Sequence, residues 1–351
     1  MRLWLLAVLC VLAPSQPSEA LTFSITPDTA LSSDTDALNA FTRGADQWGT
    51  LFTDDITIEI DAQWQTLGGS VIGSASSTQY SVDYDTIRDR MASDASDESD
   101  DNIVTYLPTS SELSVTLDGG DSLASPSKII INKATLKALG YIDTTDTSDA
   151  DYLNIDWSLT DATLTFNSSY SFDFDNTDGV TAGLMDFETV VAHEIGHALG
   201  FTSKVDVFDT SSGITSSSPS PLDLFRFTSG SLPTDESSFT TTARDMTPGS
   251  TTYFSDTEYS YLFSTGSSEG DGQQASHWKD GQDPVLGIMD PTLSSGELVE
   301  ITSADLRALD VIGYDIILYA TPLPDSAGLM LVALGLMFLY QRKHTSTAKT
   351  T

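Results

Sequence analysis

The sequence predicts an α+β protein in which a small sheet packs against one buried helix. Two observations carry that expectation. Segments whose apolar residues recur at helical spacing are interspersed with only a few short segments that alternate. The last alternating stretch, Thr163 to Phe174, comes immediately before a helical pattern with a wide apolar side, Asp186 to Gly200.

Asp36 to Trp48 reads as the first helix, because Leu38, Phe41, Ala45 and Trp48 recur every three or four residues and share one side. Ile56-Thr57-Ile58-Glu59-Ile60 alternates with period two, as a half-buried strand does. Tyr84 to Met91 is a second helix, and the acidic stretch Ser93 to Asp101 after it reads as a surface loop. Lys128 to Asn132 is a further strand, and Thr163 to Phe174 supplies one or two more, with Phe166, Tyr170, Phe172 and Phe174 alternating. Asp173 to Gly179 is dense in carboxylates but departs from the EF-hand loop, since Asp178 occupies the sixth place where glycine belongs. A solvated turn is therefore preferred there over a Ca²⁺ site, and Ca²⁺ stays a second candidate ion behind Zn²⁺.

The next helix carries the chemistry. Asp186 can cap it, Phe187, Val190, Val191, Ile195, Ala198 and Leu199 form its apolar side, and Gly200 can take the positive φ that stops it. Within it stands His193-Glu194-Ile195-Gly196-His197. Positions i and i+4 lie one above the other on a helix, so both imidazoles can reach one Zn²⁺ while Glu194 leans over the open side of the metal as a general base. The competing interpretation, a core helix with two hydrogen-bonded histidines, carries the cost of desolvating two imidazoles and a carboxylate together.

A catalytic zinc normally takes three protein ligands. The chain has four histidines, and His344 lies in a basic tail, which leaves His277 in the polar, glycine-punctuated stretch Gln274 to Gly281. Asp206, Glu236 and Glu258 remain competing third ligands. Thr202 to Ser276 is rich in Ser, Thr, Gly and Pro, with a short ordered piece at Leu222 to Phe227; it is too long for one structureless loop and should cover one wall of the cleft. Thr302 or Ser303 caps a last helix through Asp305, Leu306, Leu309 and Ile312, closed by Gly313.

The pattern His193-Glu194-x-x-His197-x-x-Gly200-Phe201, with a distant His277-Trp278 and a methionine turn at Gly287-Ile288-Met289-Asp290-Pro291, resembles the metzincin metalloproteases in their leishmanolysin-like arrangement. It departs from the short metzincin motif, whose third histidine position is Ser203 here. The resemblance implies a zincin with a small twisted, mostly parallel sheet packed on the zinc helix and an irregular C-terminal subdomain bearing the third histidine and the methionine turn. It implies Zn²⁺ held by His193, His197 and His277, Glu194 as base, Met289 as an apolar floor under the metal, and Ser168 to Phe174 as a cleft-bordering strand that pairs with substrate. The activity implied is hydrolysis of peptide bonds in a protein or peptide substrate. The rivals are a catalytically idle surface protein with a structural zinc site and a calcium-dependent adhesion protein; Glu194 argues against both, since neither needs a base.

The ends read as targeting signals. Arg2, the apolar run Leu3 to Ala13 and Ser18-Glu19-Ala20 form a signal peptide over residues 1–20. Cys10, the one cysteine, falls inside it, so the exported part has no disulfide. Pro322-Leu323-Pro324, the apolar run Ala327 to Tyr340 and Arg342-Lys343-His344 are similar to the PEP-CTERM class of sorting signals, which implies recognition by membrane-associated sorting machinery. As a helix that run spans only ~21 Å against a hydrocarbon core of ~30 Å. Residues 21–320 are then the catalytic domain, divided at 201/202, and 321–351 the sorting segment, with the protein exported to the cell surface, outer membrane or medium. A net charge of −36 argues against nucleic acid as partner and suggests acidic cleft walls that attract basic or neutral peptides.

Overall fold

Alternation along Thr57–Gln65 sends Ile58, Ile60 and Ala62 to one face, fully buried, and the same face of Ala162–Asn167 presents Leu164 and Phe166. These two strands are the inner pair of a four-stranded mixed sheet in the order Thr22–Pro27, Thr57–Gln65, Ala162–Asn167, Gly73–Ser77. The first two pairings are parallel, with Ile25 opposite Ile60 and Ala62 opposite Leu164, and Gly73–Ser77 closes the edge antiparallel, with Ala75 opposite Leu164. The computed structural model describes residues 21–97, 101–119, 121–123, 127–209 and 216–317. The expected signal peptide and sorting segment lie outside them. No helix among the described residues is long and apolar enough to cross a membrane.

Two helices cover the sheet. Thr35–Gly49 starts at Asp34, whose carboxylate accepts from Ala37 N, and buries Phe41, Ala45 and Trp48 as the spacing predicts. It crosses Phe187–Leu199 closely: a Cβ on Gly44 would lie 2.9 Å from the Cβ of Val191. Trp48 Nε1 donates to the Ala192 carbonyl at 2.8 Å, fixing the crossing. An α+β layer with the sheet against the histidine-bearing helix is thus what forms.

Several expectations are corrected. Ser168 to Phe174 is not the cleft strand; only Phe172–Asp173 pairs, parallel to Met185–Asp186, and the edge strand that packs on the histidine helix is Gly73–Ser77. The alternating phenylalanines are core: Phe166, Phe172 and Phe174 pack on Phe187 with ring centroids 4.9, 5.1 and 5.3 Å apart. Local alternation reports burial, not which strand ends at an edge. Lys128–Asn132 pairs with Gln79–Asp83 in a separate antiparallel ladder. The acidic stretch is no plain surface loop, because helix Tyr84–Asp94 runs into it and Asp101 is buried.

The long insertion is more ordered than its composition suggests. Leu222–Phe225 is a 3₁₀ turn leading into Arg226–Thr228, which pairs antiparallel with Thr252–Ser255, and Thr252–Ser255 pairs in turn with Ser260–Leu262. Buried Arg226 holds it together. Its guanidinium lies 3.9 Å from the Phe263 ring centroid and donates to Thr252 Oγ1 at 2.8 Å and to the Ala275 carbonyl at 2.6 Å, two residues before His277.

Candidate metal centre

The Phe187–Leu199 helix is fixed at both ends. Asp186 Oδ2 accepts from Thr189 N at 2.9 Å and from its hydroxyl at 2.6 Å. At the other end the carbonyls left without intrahelical partners are taken by side chains: Asn132 Nδ2 donates to His197 O and Ala198 O, and Thr135 Oγ1 and Tyr314 OH both donate to Leu199 O. Gly200 has φ 131°, and a Cβ there would sit 2.6 Å from Thr135 Oγ1 and 2.9 Å from Ile312 Cδ1. Only glycine meets both demands.

His277 arrives on a loop that Asp206 organises. Asp206 accepts from Ala275 N at 2.6 Å, from Ser276 N at 3.1 Å and from the Ser276 hydroxyl. Ser203 N donates to Ser276 Oγ at 2.9 Å, so the residue standing where a short motif places its third histidine instead supports the neighbour of the histidine that does arrive. Asp206 is therefore a loop anchor and not a ligand. Glu236 opens helix Glu236–Thr241 beside Tyr106, and Glu258 lies in the turn capped by Asp256; neither reaches the imidazoles.

The three imidazoles converge. Each Nδ1 faces a backbone carbonyl: His193 to Ile288 O at 2.7 Å, His197 to Phe201 O at 2.8 Å, His277 to Gln274 O at 3.2 Å. Donation from Nδ1–H leaves the lone pair on Nε2, and His277 Nε2 lies 3.2 Å from His193 Nε2 and 3.1 Å from His197 Nε2. Ligands at Zn–N ~2.05 Å in tetrahedral directions stand about 3.3 Å apart, so the donor set fits a metal of that size. Burial holds all three rings below the usual imidazole range, with His197 down to about 3 through burial and then the neighbouring His193. Neutral imidazoles crowded nose to nose repel as lone pairs and are relieved by a shared cation. These are the only residues among those described that form such a group, and no second cation group stands at Asp173 to Gly179, where Asp173 and Asp175 accept from their own loop.

Glu194 points into the same cleft of about 1040 Å³. Burial pushes its carboxyl up to about 8. Space for it is provided by the edge strand: a Cβ on Gly73 would lie 2.5 Å from Glu194 Oε1 and 3.0 Å from its Cγ. Met289 is fully buried and its sulfur packs on Gly196, between the two helical histidines, where a Cβ would collide with it.

Asp305 ties these parts together from helix Ser303–Asp310. Its Oδ1 accepts from Trp278 Nε1 at 2.8 Å and Met289 N at 3.2 Å; its Oδ2 accepts from Ile288 N at 2.9 Å and Thr302 N at 2.8 Å. The sequence reveals Asp305 only as a residue of the last helix. Its second role, and those of Gly73 and Gly196, have no local signature because each depends on a segment distant in sequence. The cleft walls also differ from expectation: Ser, Thr, Gln and Gly dominate, and among the described residues the only carboxylates lining it are Glu194 and Asp290. The negative charge lies elsewhere on the surface. Searches for similarity return no matching family model, curated protein or solved structure.

Proposed function

We propose that this chain is an exported zinc-dependent endopeptidase of metzincin type, with His193, His197 and His277 as metal ligands and Glu194 as the general base. The observation that carries the reading is the union of three neutral Nε2 donors with a buried carboxylate on the open side of the same cleft. A purely structural site has no use for that carboxylate.

A bound Zn²⁺ supplies Lewis acidity, polarising a scissile carbonyl and making water acidic enough to attack near neutral pH. Glu194 takes the proton from the attacking water and delivers it to the departing amine, and a divalent cation nearby favours its charged form against the burial that raises it. Gly73–Ser77 offers the free edge along which an extended peptide adds as a strand. Met289 keeps the underside of the site apolar and packed.

The test compares zinc-loaded wild type with Glu194→Ala on a peptide library. Removal of the base should lower kcat by about 10²–10⁴-fold with zinc content unchanged. Equal cleavage by the two proteins would end the assignment of Glu194, and no cleavage by either would end the enzymatic reading.

A further inference from the structure

The cleft has two chemically unequal ends. Toward the N-terminal half of the histidine helix it is apolar: Val190 lies one turn before Glu194, Val299 is held to Thr189 Oγ1 at 3.3 Å, and Ile288 and Leu293 complete the wall. Toward the other end, where Ser77 donates to His197 O at 3.2 Å, the lining is Ser and Gln. Asp290 belongs to the apolar end, directly after Met289. It is 6 % exposed, and its Oδ1 accepts from Thr292 N at 3.0 Å and Thr292 Oγ1 at 3.1 Å. Its Oδ2 has no hydrogen bond among the described residues and keeps some accessible surface.

No cation of the protein among the described residues answers this carboxylate. Lys279, close by in sequence, is paired with Asp271 at 2.5 Å. The charged groups that act on Asp290 from its surroundings are Asp280 and Glu297, both negative; Asp280 reaches it through Thr292 Oγ1, 3.2 Å away. A largely buried carboxylate with negative neighbours and no cation of its own is costly unless a cation from outside meets it.

We propose that Asp290 selects a lysine or arginine side chain of the peptide substrate, whose aliphatic stem lies on Ile288, Leu293 and Val299 and whose charged head pairs with Oδ2. This rests on the endopeptidase reading of the adjoining metal centre. Long cationic side chains are suited to such a wall, since their methylenes bury against apolar surface while the head stays at a polar point. The overall negative charge draws such peptides toward the cleft, and Asp290 gives that attraction a position.

A peptide library randomised on both sides of the cleavage point is digested by zinc-loaded wild type and by Asp290→Asn, and the products are sequenced. Asparagine retains the acceptor for Thr292 N while removing the charge. Wild type should enrich Arg and Lys at one position, and the variant should lose that enrichment about tenfold, with zinc content unchanged. Cleavage without basic enrichment in wild type, or enrichment unchanged in Asp290→Asn, overturns the role of Asp290 and leaves the endopeptidase standing. Binding of Arg-containing and Gln-containing peptides to Glu194→Gln is the second measurement: equal affinities overturn the proposal even where cleavage is slow. Absence of cleavage by wild type overturns both readings.

Discussion

At the scale of the residue, the site depends as much on what is missing as on what is present. Gly73 lacks a side chain where the Glu194 carboxylate needs room, with Oε1 2.5 Å from the place a Cβ would take. On the proposed function, Gly73→Ala should therefore displace the Glu194 carboxylate by a fraction of an ångström to an ångström and lower kcat by about tenfold to 10²-fold, with KM and zinc content nearly unchanged. A kcat within twofold of wild type would show that Glu194 adapts. The histidines show the converse. His193 and His197 are legible because i, i+4 spacing is a local property of a helix, whereas His277 is legible only by counting imidazoles, and its arrival depends on Asp206, Ser203 and Ser276.

At the scale of the element, the last helix acts through its first turn. Thr302, one of the two caps the sequence offers, forms a capping box with Asp305, but Asp305 also accepts from Ile288, Met289 and Trp278. One buried carboxylate so fixes the helix start, the methionine turn and the residue after His277. Asp305→Ala should strand several buried donors at about 1–3 kcal/mol each, a loss of about 3 kcal/mol or more in urea unfolding. Zinc affinity should fall with it, because Ile288 O no longer orients His193. Asp305→Asn keeps one acceptor oxygen and should fall between the two. Zinc affinity unchanged in Asp305→Ala would separate the helix cap from the metal site.

At the scale of the whole molecule, the described residues from Leu21 to Ile316 form one unit in which the segment Phe52 to Asp54 meets the C-terminal end of that unit. Phe52 bridges to Ile316, Thr53 N donates to Asp315 O at 2.8 Å, and Asp54 Oδ2 accepts from Asp315 N at 3.1 Å. Burial, then the charge of Asp315, pushes the Asp54 carboxyl up to about 8 from an ordinary 3.8. A group whose folded pKa lies above its unfolded value favours the folded state least at high pH: stability falls as pH rises from about 4 to about 8, then levels. Asp54→Asn resembles the protonated form and keeps the acceptor, so its unfolding free energy in urea should exceed that of wild type by a margin that grows from pH 5 to pH 8, on the order of a few kcal/mol at the upper end. A margin independent of pH would show that Asp54 is ionised throughout. By itself the sequence determined the four longer helices, the caps of the histidine helix and of the last helix, the paired histidines with Glu194 between them, and the α+β class, because periodicity, capping and i, i+4 spacing are set by residues within one or two turns of each other. Only the tertiary structure decided which strand packs as an edge on the histidine helix, which of Asp206, Glu236, Glu258 and His277 completes the donor set, and where Asp305 and Gly73 stand. Each of those outcomes is a contact between segments tens to hundreds of residues apart, and no local pattern encodes a partner that only packing brings near.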